Sequence, residues 1–101
     1  MIRHVVMFEL SKEAEGRSAI ENAVIAKEKL LLLQQKMDVI KNMEIGINDT
    51  EADSTNFTFC LICDFDSLED LNYYTTHPDH LEVGAFLRKV RLGRACVDYV
   101  F

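Results

Sequence analysis

The run from Phe57 to Phe65 alternates without a break. Phe57, Phe59, Leu61, Cys63 and Phe65 fall on one side, Thr58, Cys60, Ile62 and Asp64 on the other. Successive side chains of a strand point to opposite faces, so this period of two predicts a β-strand whose apolar face needs a cover. Ile2 to Leu10 repeats the pattern, with Ile2, His4, Val6, Phe8 and Leu10 set against Arg3, Val5, Met7 and Glu9. His4 is the single polar residue on an otherwise apolar face. Asn42 to Asn48 reads as another strand, Met43, Ile45 and Ile47 alternating with Glu44, Gly46 and Asn48. Arg94 to Phe101 reads as the last, Ala95, Val97, Tyr99 and Phe101 alternating with Arg94, Cys96, Asp98 and Val100.

Between these strands the period lengthens to that of a helix. Ala19, Ala23, Ala26, Leu30, Leu33 and Met37 recur at spacings of four and three, one face of a long helix. Ser11 is its expected cap, Gly16 loosens its first turn or delays its start, and its end falls at Met37 or Ile40. Ile20, Val24 and Leu31 widen the stripe, and Leu30 to Leu33 is apolar nearly all round. Residues 48–56 are polar and acidic, lack the glycine and ligand spacing of a calcium loop, and read as an exposed connection. Ser67 caps a short helix, with Asp70 as a reciprocal partner and Leu68, Leu71 and Tyr74 facing inward. Pro78 suits the first position of a further helix that runs to about Val90, where Gly93 ends it. His80, Val83, Leu87 and Val90 share one face of that helix.

The order is strand, helix, strand, strand, helix pair, strand. This is an α+β chain of the ferredoxin-like βαββαβ type, a split βαβ with an antiparallel sheet and helices on one side, forming one domain over residues 1–101. The other sheet face, read as Val5, Met7, Cys60, Ile62 and Val100, is too apolar to leave in water. Two such faces packed together predict a homodimer.

Charge narrows the partners. With 17 acidic against 11 basic residues and a net charge of -6, the chain is not expected to bind nucleic acid. No apolar run approaches the roughly 20 residues of a membrane span, and the N-terminus is too soon charged for a secretory signal. An odd set of three cysteines fits a reducing compartment, so the protein is expected in the cytoplasm. Cys60 and Cys63 sit three apart within a strand, on opposite faces, and so are poorly placed to chelate one ion. No phosphate, nucleotide or flavin motif is present, and no cofactor is expected.

The residues that carry chemistry are His4, Tyr74 and His80. His4 projects from the apolar face of the first strand, and His80 from the inward face of the last helix. Tyr74 ends the helix before it. A histidine titrating near neutrality can remove a proton beside a carbonyl and return it. A tyrosine hydroxyl can hold the oxygen on which negative charge develops. Phe8, Leu33, Phe59 and Leu87 would line an apolar chamber for a hydrophobic substrate tail, with His77 capping the helix or gating the chamber. Each of these residues also has a plain structural reading, as a hydrogen-bonded core group. A metal held by His77, His80 and His4 is weighed and set aside, because the helix break at Pro78 points His77 away from His80.

Several stretches resemble the stress-responsive dimeric α+β barrel (Dabb) family. These are Ile2-Arg3-His4-Val5-Val6-Met7-Phe8, Ile45-Gly46-Ile47-Asn48, Phe65-Asp66-Ser67-Leu68-Glu69-Asp70-Leu71 with Tyr74 and His77-Pro78-Asp79-His80, and Val97-Asp98-Tyr99. The likeness spans the chain; Met37-Asp38-Val39-Ile40 departs from the family's usual Ile-Pro-Gly helix stop. The resemblance implies two sheets forming a barrel in a dimer, and a cavity in each subunit between sheet and helices. It further implies kinship with plant polyketide cyclases whose working histidines and tyrosine resemble His4, Tyr74 and His80. Two functions stay open: a cofactor-independent isomerase, cyclase or decarboxylase acting on a small hydrophobic ketone or polyketide-like substrate, and a non-catalytic stress-response module that binds an apolar small molecule.

Overall fold

A computed structural model describes all residues from Met1 to Phe101. The strands and helices are β1 (Ile2–Leu10), β2 (Glu13–Ala14), β3 (Arg17–Ser18), α1 (Ala19–Lys36), β4 (Asn42–Ile47), β5 (Phe59–Phe65), α2 (Leu68–Thr76), α3 (Pro78–Val90) and β6 (Arg91–Val100). The main sheet has the order β4-β5-β1-β6 with antiparallel pairing throughout. This is the ferredoxin-like α+β arrangement, and β1 and β5, the two most strictly alternating runs, take its centre. In an antiparallel sheet with helices on one face only, each strand alternates between core-facing and outward residues, and that period is plainest in β1 and β5.

Helix α1 does not begin at Ser11. Residues 13–18 form a tight hairpin, β2 paired with β3, turning through Glu15 at φ 54 and Gly16 at φ 74. Two successive left-handed residues give the turn that matches strand twist in a two-residue hairpin, and glycine adopts that shape without a Cβ penalty. The cap is therefore Ser18: its hydroxyl accepts from the Glu21 N–H while the Glu21 carboxylate accepts from the Ser18 N–H. The helix closes at Lys36, with the Met37 N–H bonded to the Leu33 carbonyl. Asn22, fully buried, ties the hairpin to the helix; it accepts from Arg17 Nε at 2.8 Å and donates to the Ala14 carbonyl at 3.1 Å.

Ala23, Ala26, Leu30 and Leu33 lie on the buried face of α1, as their spacing predicts, with Met37 buried just past its end, and the small residues at its start let the helix approach closely. Ile20, Val24 and Leu32 are exposed. Ser67 caps α2 by accepting from the Asp70 N–H, without the reciprocal bond to the Asp70 carboxylate. His77 ends α2 and caps α3 at once, with Pro78 opening the second helix.

Strand β6 begins directly after α3, so Gly93 lies inside the strand rather than ending the helix. The pairing Glu9↔Gly93 followed by Leu10↔Arg91 leaves one extra residue on β6, a bulge. The outer sheet face differs in membership from the sequence expectation. Val100 pairs with Ile2 and so lies on the helix side, whereas Ala95, Val97 and Tyr99 pair with Met7, Val5 and Arg3 and share the outer face with Cys60 and Ile62. At the edge of this face Arg3 donates to Asp64 through Nε at 2.8 Å and Nη2 at 3.0 Å, and its guanidinium lies 4.4 Å from the Phe101 ring centre.

Candidate functional site

His4, Tyr74 and His80 come together on the helix side of the sheet. Burying Ile2, Val6, Phe8 and Leu10 against the helices carries His4 inward with them, and its residue is 4% exposed. The Tyr74 ring, at 0% exposure, stands between the two histidines. Its centre is 4.5 Å from that of His80 and 6.3 Å, edge-on, from that of His4. Phe65 backs it at 5.2 Å.

Each histidine is oriented by a different partner. His80 Nδ1 lies 3.0 Å from the Thr75 carbonyl oxygen. A carbonyl only accepts, so Nδ1 carries the hydrogen and neutral His80 presents a free lone pair on Nε2. Burial lowers the His80 pKa, and the nearby positive charges of His4 and Arg94 add to this against the opposing pull of the Thr75 carbonyl. His80 is therefore a neutral base at pH 7. His4 Nδ1 meets Asp98 Oδ1 at 2.5 Å, an interaction that crosses the β1–β6 ladder where the two residues face one another. Cys96 joins them, its sulfur 3.6 Å from His4 Nδ1 and 3.7 Å from Asp98 Oδ1.

The Tyr74 hydroxyl is buried and has no hydrogen-bond partner. The Cys63 thiol is its polar neighbour, but it does not close a well-formed bond. Burial first, then the influence of Cys63, pushes the Tyr74 pKa far up, so the hydroxyl keeps its proton and remains a donor. Burial likewise pushes the Cys63 thiol up to about 12, leaving it inert. Buried hydroxyls nearly always find a partner, which sets this one apart from the other buried polar groups of the chain.

The other proposed residues are placed differently. Phe8, Leu33, Phe59 and Leu87 all belong to the continuous apolar core, and Phe8 stacks on Phe59 with ring centres 5.0 Å apart. They fill the space between sheet and helices, so the cavity implied by family resemblance is closed at this point. Hollows of about 430 Å³ between α1 and α3, about 690 Å³ beneath residues 48–57, and about 220 Å³ on the outer face of β1 and β6 do not reach His4, Tyr74 or His80. His77 turns outward. Its Nδ1 accepts from the Asp79 N–H at 3.1 Å and its ring meets that of the exposed Tyr73 at 5.6 Å. Cys60 and Cys63 lie on opposite faces, the first partly exposed and the second buried.

Sequence reasoning missed Asp98 and Cys96 as partners of His4. The alternation of the last strand puts them on one face, but only the register between β1 and β6 brings that face to His4.

Comparison with known proteins agrees with this architecture. The sequence profile described as the stress responsive A/B barrel domain matches residues 2–101. A stress-response A/B barrel domain-containing protein of Arabidopsis thaliana is 29% identical over 100 residues, covering 99% of this chain and 47% of that protein. The chain thus spans about half the length of that curated relative. A dimeric protein of ferredoxin-like fold from Bacteroides fragilis superimposes with a TM-score of 0.78 at 30% identity, covering 99% of this chain and 95% of the other. A hydroxynitrile lyase from Passiflora edulis shares the fold at a TM-score of 0.80 and 16% identity, covering 99% and 92% of the two chains. No helix is long and apolar enough to cross a membrane. With the profile matched from the first strand to the last, on a sheet and helices of the same order, this chain belongs to the stress-responsive A/B barrel (Dabb) family.

Proposed function

We propose that this Dabb protein moves a proton next to a carbonyl on a small apolar ketone or polyketide-like compound, as an isomerase, cyclase or decarboxylase that needs no cofactor. The observation that carries the reading is the buried, unpartnered Tyr74 hydroxyl between two histidine rings. In this scheme His80 Nε2 takes the proton from the carbon beside the carbonyl. Tyr74 donates its hydrogen bond to the carbonyl oxygen as enolate charge grows there. His80 then gives that proton back to the carbon skeleton of the product, while His4, oriented by Asp98, flanks the other side of Tyr74 and holds its ring in place. Phe8, Leu33, Phe59 and Leu87 supply the apolar wall that a small tail must part, and His77 fixes the α2–α3 junction beside it. Access is along the sheet edge, where His80 is partly exposed and Cys96 and Asp98 meet solvent. The Passiflora edulis lyase supports the capacity of the fold alone.

The working unit is a homodimer through the outer sheet face, in line with the dimeric Bacteroides fragilis relative. Three free thiols suit a reducing compartment, the cytoplasm. A second reading, a stress-response module that binds an apolar molecule without chemistry, is favoured by one observation: the hollows between α1 and α3, beneath residues 48–57 and on the outer face of β1 and β6 would hold a molecule away from His4, Tyr74 and His80.

Proton NMR in deuterated water separates the two. Linear and cyclic β-diketones are incubated with wild type and His80→Gln, and thermal shifts are recorded in parallel. The proposal expects at least one ketone whose α-hydrogens exchange faster with wild type than in buffer, with the gain lost in His80→Gln. A ketone that raises the melting temperature but exchanges no faster than in buffer hands the site to the binding reading.

A further inference from the structure

The sequence directs attention to His77 and His80, but the fold gathers a different set of metal-ligating groups. His4 Nδ1, Cys96 Sγ and Asp98 Oδ1 all lie within 4.8 Å of one another. The register makes the set: Asp98 faces His4 across β1–β6, and Cys96, two residues earlier on the same face, stands over Val6. A tetrahedral zinc ion, with bonds of about 2.3 Å to sulfur and about 2.0–2.1 Å to nitrogen and oxygen, requires S···N and S···O separations of roughly 3.5 Å and N···O of roughly 3.3 Å. The observed S···N of 3.6 Å and S···O of 3.7 Å meet this. The N···O separation of 2.5 Å must open, and Asp98 has the freedom to do so, because its side chain is 38% exposed on an edge strand. His4, 6% exposed at its side chain, is the fixed anchor.

We propose that His4, Cys96 and Asp98 form a binding site for a zinc-class divalent cation, with the fourth coordination position open to water at the sheet edge. Neutral imidazole, thiolate and carboxylate together carry two negative charges, which a dication balances. The mixed nitrogen, sulfur and oxygen set suits zinc or cobalt over magnesium or calcium, which prefer oxygen alone. On binding, the Cys96 thiol releases its proton to water, and the Asp98 contact to Nδ1 gives way to the metal–Nδ1 bond, leaving the ring hydrogen on Nε2. Arg94, from the same face of β6, approaches Cys96 and opposes the ion's charge. Nothing here depends on the catalytic reading of Tyr74 and His80.

The test is titration of full-length, untagged, reduced and chelator-washed protein with cobalt(II), followed by competition with zinc. One cobalt per chain is expected, with thiolate-to-cobalt charge-transfer absorption and the intense visible bands of a tetrahedral ion, both erased by zinc. Cys96→Ser should lose the charge-transfer band and bind zinc at least about tenfold more weakly, a difference of about 1.4 kcal/mol. Cys60→Ser should behave as wild type, and Arg94→Gln should bind more tightly. The site is refuted if wild type takes up no cobalt at equimolar concentration, if Cys96→Ser binds as well as wild type, or if the band disappears in Cys60→Ser instead.

Discussion

At the scale of single residues, Tyr74 and His80 both lower the stability of the fold under stated conditions. A buried hydroxyl without a partner costs about 1–3 kcal/mol relative to a satisfied one, and Tyr74 is fully buried with its hydroxyl unpaired. Tyr74→Phe removes only that group, so the unfolding free energy in urea should stay level or rise by about 1 kcal/mol. A structural hydrogen bond at Tyr74 would instead make the variant less stable. His80 gives a pH signature of definite sign. Its folded pKa lies below the ordinary 6.5 because burial disfavours the charged ring. Its contribution to stability is therefore complete above about pH 6.5 and is lost as pH falls through the folded value. Urea titrations should show stability falling from pH 7 to pH 5, and His80→Gln should flatten that fall; equal slopes in both proteins would contradict the assignment. Asp64 acts lower on the scale. Its carboxyl is held below the usual 3.8, by Arg3 first, so its share is lost only in stronger acid. His4 was legible from sequence because it is polar on an apolar face. Asp98 was not, because its partner lies 94 residues away and is chosen by strand register.

At the scale of elements, alternation identified the four long strands and spacing identified the buried face of α1, since burial leaves a periodic trace over many residues. The β2–β3 hairpin left none: two-residue strands are too short to show a period. The start of α1 did have a local signal, Ser18 followed three residues later by Glu21, the pattern of a reciprocal cap. Ser11 competes for that role only if the intervening turn is ignored. Two substitutions test this segment. Ser18→Ala should cost about 1 kcal/mol through the lost cap. Gly16→Ala should cost about 1 kcal/mol from backbone conformation alone, because a Cβ there would meet nothing within 4 Å yet the residue sits at φ 74. Chemical denaturation checks both, and an unchanged Gly16→Ala would mean the turn is free to take another shape.

At the scale of the whole molecule, the outer sheet face explains why the chain is read as half of an assembly. Val5, Met7, Cys60, Ile62, Ala95, Val97 and Tyr99 make one continuous apolar surface, with Val97 at 56% exposure in the single chain. Light scattering should give about twice 11.6 kDa, and Val97→Glu should shift the protein toward monomer. The apolarity of this face was readable in sequence, but its membership was not, since Val100 and Val97 exchange sides according to register. Under the proposed function, the Tyr74 hydroxyl of each subunit receives a substrate oxygen. This is tested by α-hydrogen exchange of a bound ketone in deuterated water, comparing wild-type dimer with Tyr74→Phe dimer at equal folded concentration. The expected result is exchange by wild type and only the buffer rate with Tyr74→Phe, from a variant at least as stable. Equal exchange by the two proteins would contradict it.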